Sequence, residues 1–228
     1  MTVAFTAVSS KLIVMTVDSA ITRDFESGYR EYDTGRKSYS FPGVGCVTTW
    51  GALDMNKIGE FLDKQKISAI SHSVNELASL VHYYLVHEYR PHELGLDDVG
   101  YHVAGYDRQA CPQLYHIFWG FDRPRPPEQA TREYKMYPNS PKAGEIVFLY
   151  NGRNDLEEVL IQTLIGQIRS GYITRFDFKT PIGFTLCGDL VARFACEITP
   201  EVGPPFGLHP YDWTDKVRRG WQGKALPS

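Results

Sequence analysis

Residues 1–19 read Met1-Thr2-Val3-Ala4-Phe5-Thr6-Ala7-Val8-Ser9-Ser10-Lys11-Leu12-Ile13-Val14-Met15-Thr16-Val17-Asp18-Ser19. A Met-Thr dipeptide opens a strand-like run, and an Asp-Ser pair closes it. Residues 11–17, KLIVMTV, are apolar, β-branched and few, the pattern of a buried strand. Removal of Met1 leaves Thr2 with a free α-amine beside its own hydroxyl. One residue then carries both a nucleophile and a base. Asp18 follows Thr2 by 16 residues and sets a carboxylate just past the end of the run. Asp-Ser is also good turn chemistry, so the pair marks a chain reversal as readily as a site.

Working outward, a Pro42-Gly43 turn leads into residues 44–50 (VGCVTTW), a second buried strand that Gly51 ends. Residues 54–66 read as a helix. Ser73-Val74-Asn75-Glu76 is a capping box, with serine at the N-cap and glutamate three residues on. Val74, Leu77, Ala78, Val81 and Leu85 then repeat at helical spacing, and the helix should stop before Pro91. Residues 101–107 and 113–121 read as a hairpin. Residues 122–143 hold Pro124, Pro126, Pro127, Pro138 and Pro141 and read as an irregular insertion. Residues 145–150 form another strand, turned by Asn151-Gly152. Asn154 caps a helix with Glu157 at its third position, running to about residue 168. Residues 173–178 and 189–198 are the last strands. Hairpins with the helices grouped apart predict an α+β fold, sheet packed on sheet with helices outside. The expected organisation is one domain over residues 1–200 and a tail over 201–228 that docks on its own or a neighbouring subunit.

Composition narrows the function classes. The chain has 228 residues, 43% hydrophobic and 22% charged, enough for a sizeable core. A net charge of −3 offers no basic footprint for nucleic acid or an anionic membrane. No apolar run reaches the roughly 18–20 residues a bilayer demands. The first residues lack the basic-then-apolar build of a secretory signal, so a cytoplasmic location is expected. Cys46, Cys111, Cys187 and Cys196 form no CxxC pair and are expected to be free thiols. His82, His87 and His92 recur every five residues, on different faces of a helix, and no HExxH motif is present. Gly43 and Gly45 lack the GK[ST] of a phosphate loop. No metal or cofactor is expected.

Three segments in order resemble the proteasome β-type fold of N-terminal nucleophile hydrolases. The first is the opening run ending in Asp18-Ser19. The second is Val103-Ala104-Gly105-Tyr106-Asp107 followed by Pro112-Gln113-Leu114-Tyr115, similar to the family's VAG-x-D and P-x-LY hairpin. The third is Asp177-Phe178-Lys179-Thr180 with Gly183, similar to a late D-x-x-S-G stretch. Together they cover roughly residues 2–200. The resemblance implies a four-layer αββα sandwich of two antiparallel sheets. It also implies a site made of Thr2, Asp18, Lys37, Gly51, Asp177 and Thr180. Lys37 precedes Gly51 by 14 residues, the family's step from its lysine to its oxyanion-donating glycine. Lys37 lies 19 residues beyond Asp18, further than usual, which an insertion around residues 24–32 accounts for.

The implied roles follow physically. The Lys37 ammonium beside Thr2 lowers the proton affinity of its amine and hydroxyl. Asp18 holds that ammonium charged. The Gly51 N–H meets the developing oxyanion. Asp177 and Thr180 steady the α-amine. One departure stands out: where the family has a Gly-Ser-Gly turn, this chain has Asn151-Gly152-Arg153-Asn154, in which either asparagine is a candidate donor. The implied activity is a threonine-nucleophile amide hydrolase, first of all a peptidase in a homo-oligomeric ring acting on peptides or unfolded protein. The alternatives are a non-catalytic ring or scaffold subunit and an amidase or acyl transferase on a small substrate. The aromatic-rich tail around Tyr211, Trp213 and Trp221 suits subunit contact.

Overall fold

The computed structural model describes residues 4–10, 12–17, 20–24, 30–34, 36–51, 55–96, 98–121, 131–142, 145–152, 207–214 and 217–220. The opening run is not one strand but a hairpin, in which β1 (Ala4–Ser9) and β2 (Leu12–Val17) pair antiparallel. Ser9 makes the reversal: its hydroxyl oxygen accepts the Leu12 backbone N–H at 3.0 Å. Every residue of both strands is buried, so neither shows the alternation that betrays a half-exposed strand. β3 (Ala20–Asp24) and β4 (Arg30–Thr34) pair as a separate two-stranded hairpin. That hairpin occupies the extra chain between Asp18 and Lys37.

The second sheet runs in order through β5 (Ser38–Phe41), β6 (Gly45–Gly51), β7 (Val99–Tyr106), β8 (Pro112–Phe121) and β9 (Arg132–Asn139), all antiparallel. Between β5 and β6 the Val44 N–H donates to the Phe41 carbonyl at 2.9 Å, and Gly43 has φ 74°. This is a type II turn, with Pro42 where φ is already set and glycine where φ must be positive. The β7–β8 hairpin turns on Asp107, whose carboxylate accepts the Gln109 and Cys111 N–H groups at 2.9 and 2.8 Å.

β9 departs from the sequence reading. Residues 122–143 read as irregular, yet Arg132–Asn139 is a full strand paired with β8 from Phe121↔Arg132 to Leu114↔Asn139. Pro138 fits because β9 is the outermost strand described in its sheet, where one side of the ladder needs no N–H.

The first sheet has the order β10-β1-β2-β11-β12, with β10 at Ile146–Asn151, β11 at Gly207–Thr214 and β12 at Val217–Gly220. Part of the segment read as a docking tail is a strand in the chain's own sheet: β11 pairs with β2 from Gly207↔Val17 to Asp212↔Leu12. The helix expected from residue 154 and the strands expected at 173–178 and 189–198 lie outside the described residues.

Helices α1 (Met55–Lys64) and α2 (Val74–Tyr83) cover the outer face of the second sheet. Ile58, Leu62, Leu77, Ala78 and Val81 pack there against Tyr39, Val47, Tyr101, Val103 and Ile117. The capping box of α2 forms: the Glu76 carboxylate accepts the Ser73 backbone N–H at 2.8 Å and also the Ser73 hydroxyl. These bonds hold the Glu76 carboxyl down at about 2. α2 continues as a π-helical turn over Tyr84–Tyr89 and stops at Arg90, with φ 47°, just before Pro91. The inner faces meet where β1 and β2 lie against β6, β7 and β8. The fold is an α+β sandwich of two antiparallel sheets. Among the described residues no helix is long and apolar enough to cross a membrane. Cys46, buried, and Cys111, exposed, are free thiols.

Candidate active site

Strand register sorts the space between the sheets into three rows. At one end Ala4, opposite both Val17 and Asn151, meets Trp50 and Phe118, with Gly100 between them on β7. The middle row has Thr6, Met15 and Leu149 on one sheet and Thr48, His102 and His116 on the other. The third has Val8, Ile13 and Val147 against Cys46, Ala104 and Leu114. The outer two rows are apolar at their centres and the middle one is polar.

The first row is where the sequence-predicted residues bear on the fold. Thr2, Asp18, Asp177 and Thr180 lie outside the described residues. Two of them have described neighbours along the chain. Ala4 follows Thr2 by two residues, Val17 immediately precedes Asp18, and Ala4 and Val17 are direct partners across β1–β2. Trp50, packed in the same cluster, immediately precedes Gly51. Lys37 is described and lies one residue before β5, where its carbonyl accepts the Thr49 N–H at 3.0 Å. Its side chain is buried, 5% exposed. An ammonium is held that deep only when paired.

Gly51 ends β6 with φ 81°, a conformation open to glycine and strained for any other residue. A Cβ there would also stand 2.3 Å from the Asp98 carbonyl oxygen and 2.9 Å from the Val99 Cα. Both neighbours are backbone and cannot swing away. Gly51→Ala is therefore expected to cost about 2–4 kcal/mol, left-handed strain plus forced backbone displacement. Urea unfolding of the two proteins checks this; a loss under about 0.5 kcal/mol would mean the β6 end relaxes freely.

The middle row was not read from the sequence. His102 is fully buried, and burial pushes it down to about 4 against a smaller upward pull from its bond to Asn151. His116 stands edge-on to it with ring centroids 5.6 Å apart, and burial followed by the proximity of His102 pushes it down to about 3. The unfolded chain takes up these protons near pH 6.5, while the folded chain refuses them until about 4 and 3. Their contribution is therefore complete above pH 6.5 and declines as pH falls through that window. Between pH 6.5 and 5 each imidazole should remove about 2 kcal/mol, in a range where carboxylates have barely begun to titrate. Urea titrations at both pH values test it, with His116→Phe flattening the slope; equal midpoints at the two pH values would refute it. The available signal was symmetry: His102 and His116 are equidistant from the Asp107–Cys111 turn, so a hairpin must pair them.

The other histidine reading resolves into packing. His87 lies on the Tyr83 ring, and His92 bonds the Tyr134 hydroxyl beside Trp119. Among the described residues no group of three or more His, Cys, Asp or Glu is placed to hold a metal ion.

No family model matches the chain, and no curated protein sequence matches it. Solved structures do. Anbu, described as an ancestral beta-subunit, from Yersinia bercovieri aligns over 98% of this chain and 88% of its own, with TM-score 0.58 at 12% identity. Anbu from Hyphomicrobium sp. strain MC1 aligns over 96% and 86%, with TM-score 0.56 at 14% identity. The Anbu complex from Pseudomonas aeruginosa, described as a helical assembly, aligns over 97% and 86%, with TM-score 0.53 at 15% identity. At these identities the likeness is one of architecture: the chain shares the fold of Anbu.

Proposed function

We propose that this protein is a threonine-nucleophile amide hydrolase, a peptidase that works inside a homo-oligomeric assembly. The observation that supports it is the convergence at one end of the sandwich. The chain segments leading to Thr2, to Asp18 and to Gly51 meet through Ala4, Val17 and Trp50 in one buried cluster. Buried Lys37 immediately precedes β5, the strand beside β6.

In this reading Met1 is removed and the Thr2 hydroxyl attacks the substrate carbonyl. Its proton passes to the α-amine of Thr2, directly or through water. The Gly51 N–H receives the negative charge on the carbonyl oxygen, an effect of about 3–4 kcal/mol where such donors have been removed. The amine product leaves with the proton, and water then hydrolyses the Thr2 ester. Lys37, held by Asp18, disfavours protonation of the Thr2 groups. Asp177 and Thr180 orient the α-amine. No cofactor takes part.

The direct test is intact-mass analysis of the native protein after exposure to a β-lactone, followed by peptide mapping. Loss of Met1 and one adduct on Thr2 is expected; an adduct on Cys46 or elsewhere would sink the assignment. A second reading, a scaffold subunit without activity, is favoured by one feature: the sequence Asn151-Gly152-Arg153 where the family it resembles has Gly-Ser-Gly. Retention of Met1 in protein from its native source would select it.

Assembly forms part of the proposal. The Pseudomonas aeruginosa neighbour is described as a helical assembly, and this chain carries 14 tyrosines, 12 phenylalanines and 4 tryptophans, types enriched at interface centres. Light scattering after size exclusion is expected to give a multimer, and electron microscopy to show closed rings rather than helices. A monodisperse species at 25.9 kDa at micromolar concentration would remove the compartmentalised peptidase.

A further inference from the structure

The middle row contains a polar link that the chemistry above does not use. Thr6 Oγ1 lies 2.9 Å from His102 Nδ1, and Asn151 Oδ1 lies 2.6 Å from His102 Nε2. Oδ1 accepts, so Nε2 carries the imidazole proton and Nδ1 is left to accept the Thr6 hydroxyl. A single neutral ring thus uses each nitrogen once, and full burial keeps it neutral at ordinary pH. Thr6 and Asn151 belong to the first sheet and His102 to the second, so the ring bridges the sandwich.

The two groups it holds are not arbitrary. Thr6 lies on β1, four residues from Thr2. Asn151 ends β10 directly opposite Ala4 and precedes Gly152, in the turn where this chain departs from its resemblance. The rest of the row is Met15 and Leu149 on the first sheet and Thr48 and His116 on either side of His102 on the second, His116 edge-on with ring centroids 5.6 Å apart. We propose that His102 is a positioning residue that locks the Asn151–Gly152 turn and the first strand in place against the sheet carrying Gly51. The importance of that placement for catalysis rests on the function proposed above.

The bond is broken from either end by His102→Leu and by Asn151→Ala. His102→Gln keeps an amide donor near the position of Nε2, and Thr6→Val removes the other bond. Two readouts are taken on the assembled protein: the saturating rate of Thr2 acylation by a β-lactone, and amide hydrogen exchange over residues 146–152. His102→Leu and Asn151→Ala should slow saturated acylation by up to about 10²-fold with the half-saturating concentration little changed, the scale of a misplaced reacting group. Both should speed exchange at residues 151 and 152, and His102→Gln should restore most of the rate and the protection.

Unchanged exchange and unchanged acylation in folded Asn151→Ala would overturn the proposal, as would a His102→Gln protein no better than His102→Leu. If His102→Leu fails to fold, Asn151→Ala carries the same test. If wild type takes no label on Thr2, the hydrolase reading fails. The exchange arm then still decides whether His102 holds the turn.

Discussion

Replacing Thr2 by alanine will abolish acyl transfer and leave the fold untouched. In the proposed mechanism the hydroxyl is the attacking group and the α-amine its base, so their chemistry acts as one unit. Deleting a nucleophile from such a unit costs on the order of 10⁶-fold in turnover. The side chain lost is small and precedes the first described strand, so urea midpoints should stay within about 0.5 kcal/mol of wild type. Thr2→Ser separates chemistry from structure, since it keeps a hydroxyl on the same residue and should keep β-lactone labelling. The measurement is adduct formation by intact mass, run beside turnover of a fluorogenic peptide. Labelling that persists in Thr2→Ala would place the nucleophile elsewhere.

Lys37 carries the second large expectation, because here two effects fall on one residue. The side chain is buried, with 5% of it exposed. If its partner is Asp18, Lys37→Ala leaves a carboxylate unpaired in a low-dielectric site. Breaking a buried pair from one side costs about 3–5 kcal/mol. In the proposed mechanism activity should fall as well, because the charge assigned to tuning Thr2 is gone. Lys37→Met keeps the stem and removes only the charge. Combined with Asp18→Asn it should recover much of the stability and none of the activity, the signature of a coupled pair. Wild-type turnover and melting in Lys37→Ala would contradict both the pairing and the role.

Some of this was open to reading because it is local. The Ser73–Glu76 capping box involves residues three apart, and it forms as its sequence requires. The stop at Arg90 follows from Pro91 two steps beyond the helical turn. The Pro42-Gly43 reversal is written in the two residues whose φ values it needs. Other features resisted reading for equally physical reasons. β1 and β2 merged into one run because both are buried on both faces and only the short polar stretch Ser9-Ser10-Lys11 interrupts them. β9 was hidden by prolines that an edge strand tolerates and an inner strand does not. β11, with Pro210 and no alternation, shows no strand pattern until β2 lies beside it.

By itself the sequence determined the α+β class, the ends of α2 and the 101–121 hairpin, since periodicity, capping and turn residues act over short separations; the candidacy of Thr2, Asp18, Lys37 and Gly51 came from the resemblance that its motifs carry. Only the tertiary structure decided which distant residues meet. It set Ala4 against Val17, Asn151 and Trp50, buried Lys37, and stacked Thr6, Thr48, His102 and His116 into one polar row. The reason is register. A strand shifted by one residue turns every side chain to the opposite face, and nothing local distinguishes the two arrangements. The choice is made by the fit of two whole sheets, through pairs such as His102 and Asn151 that lie 49 residues apart.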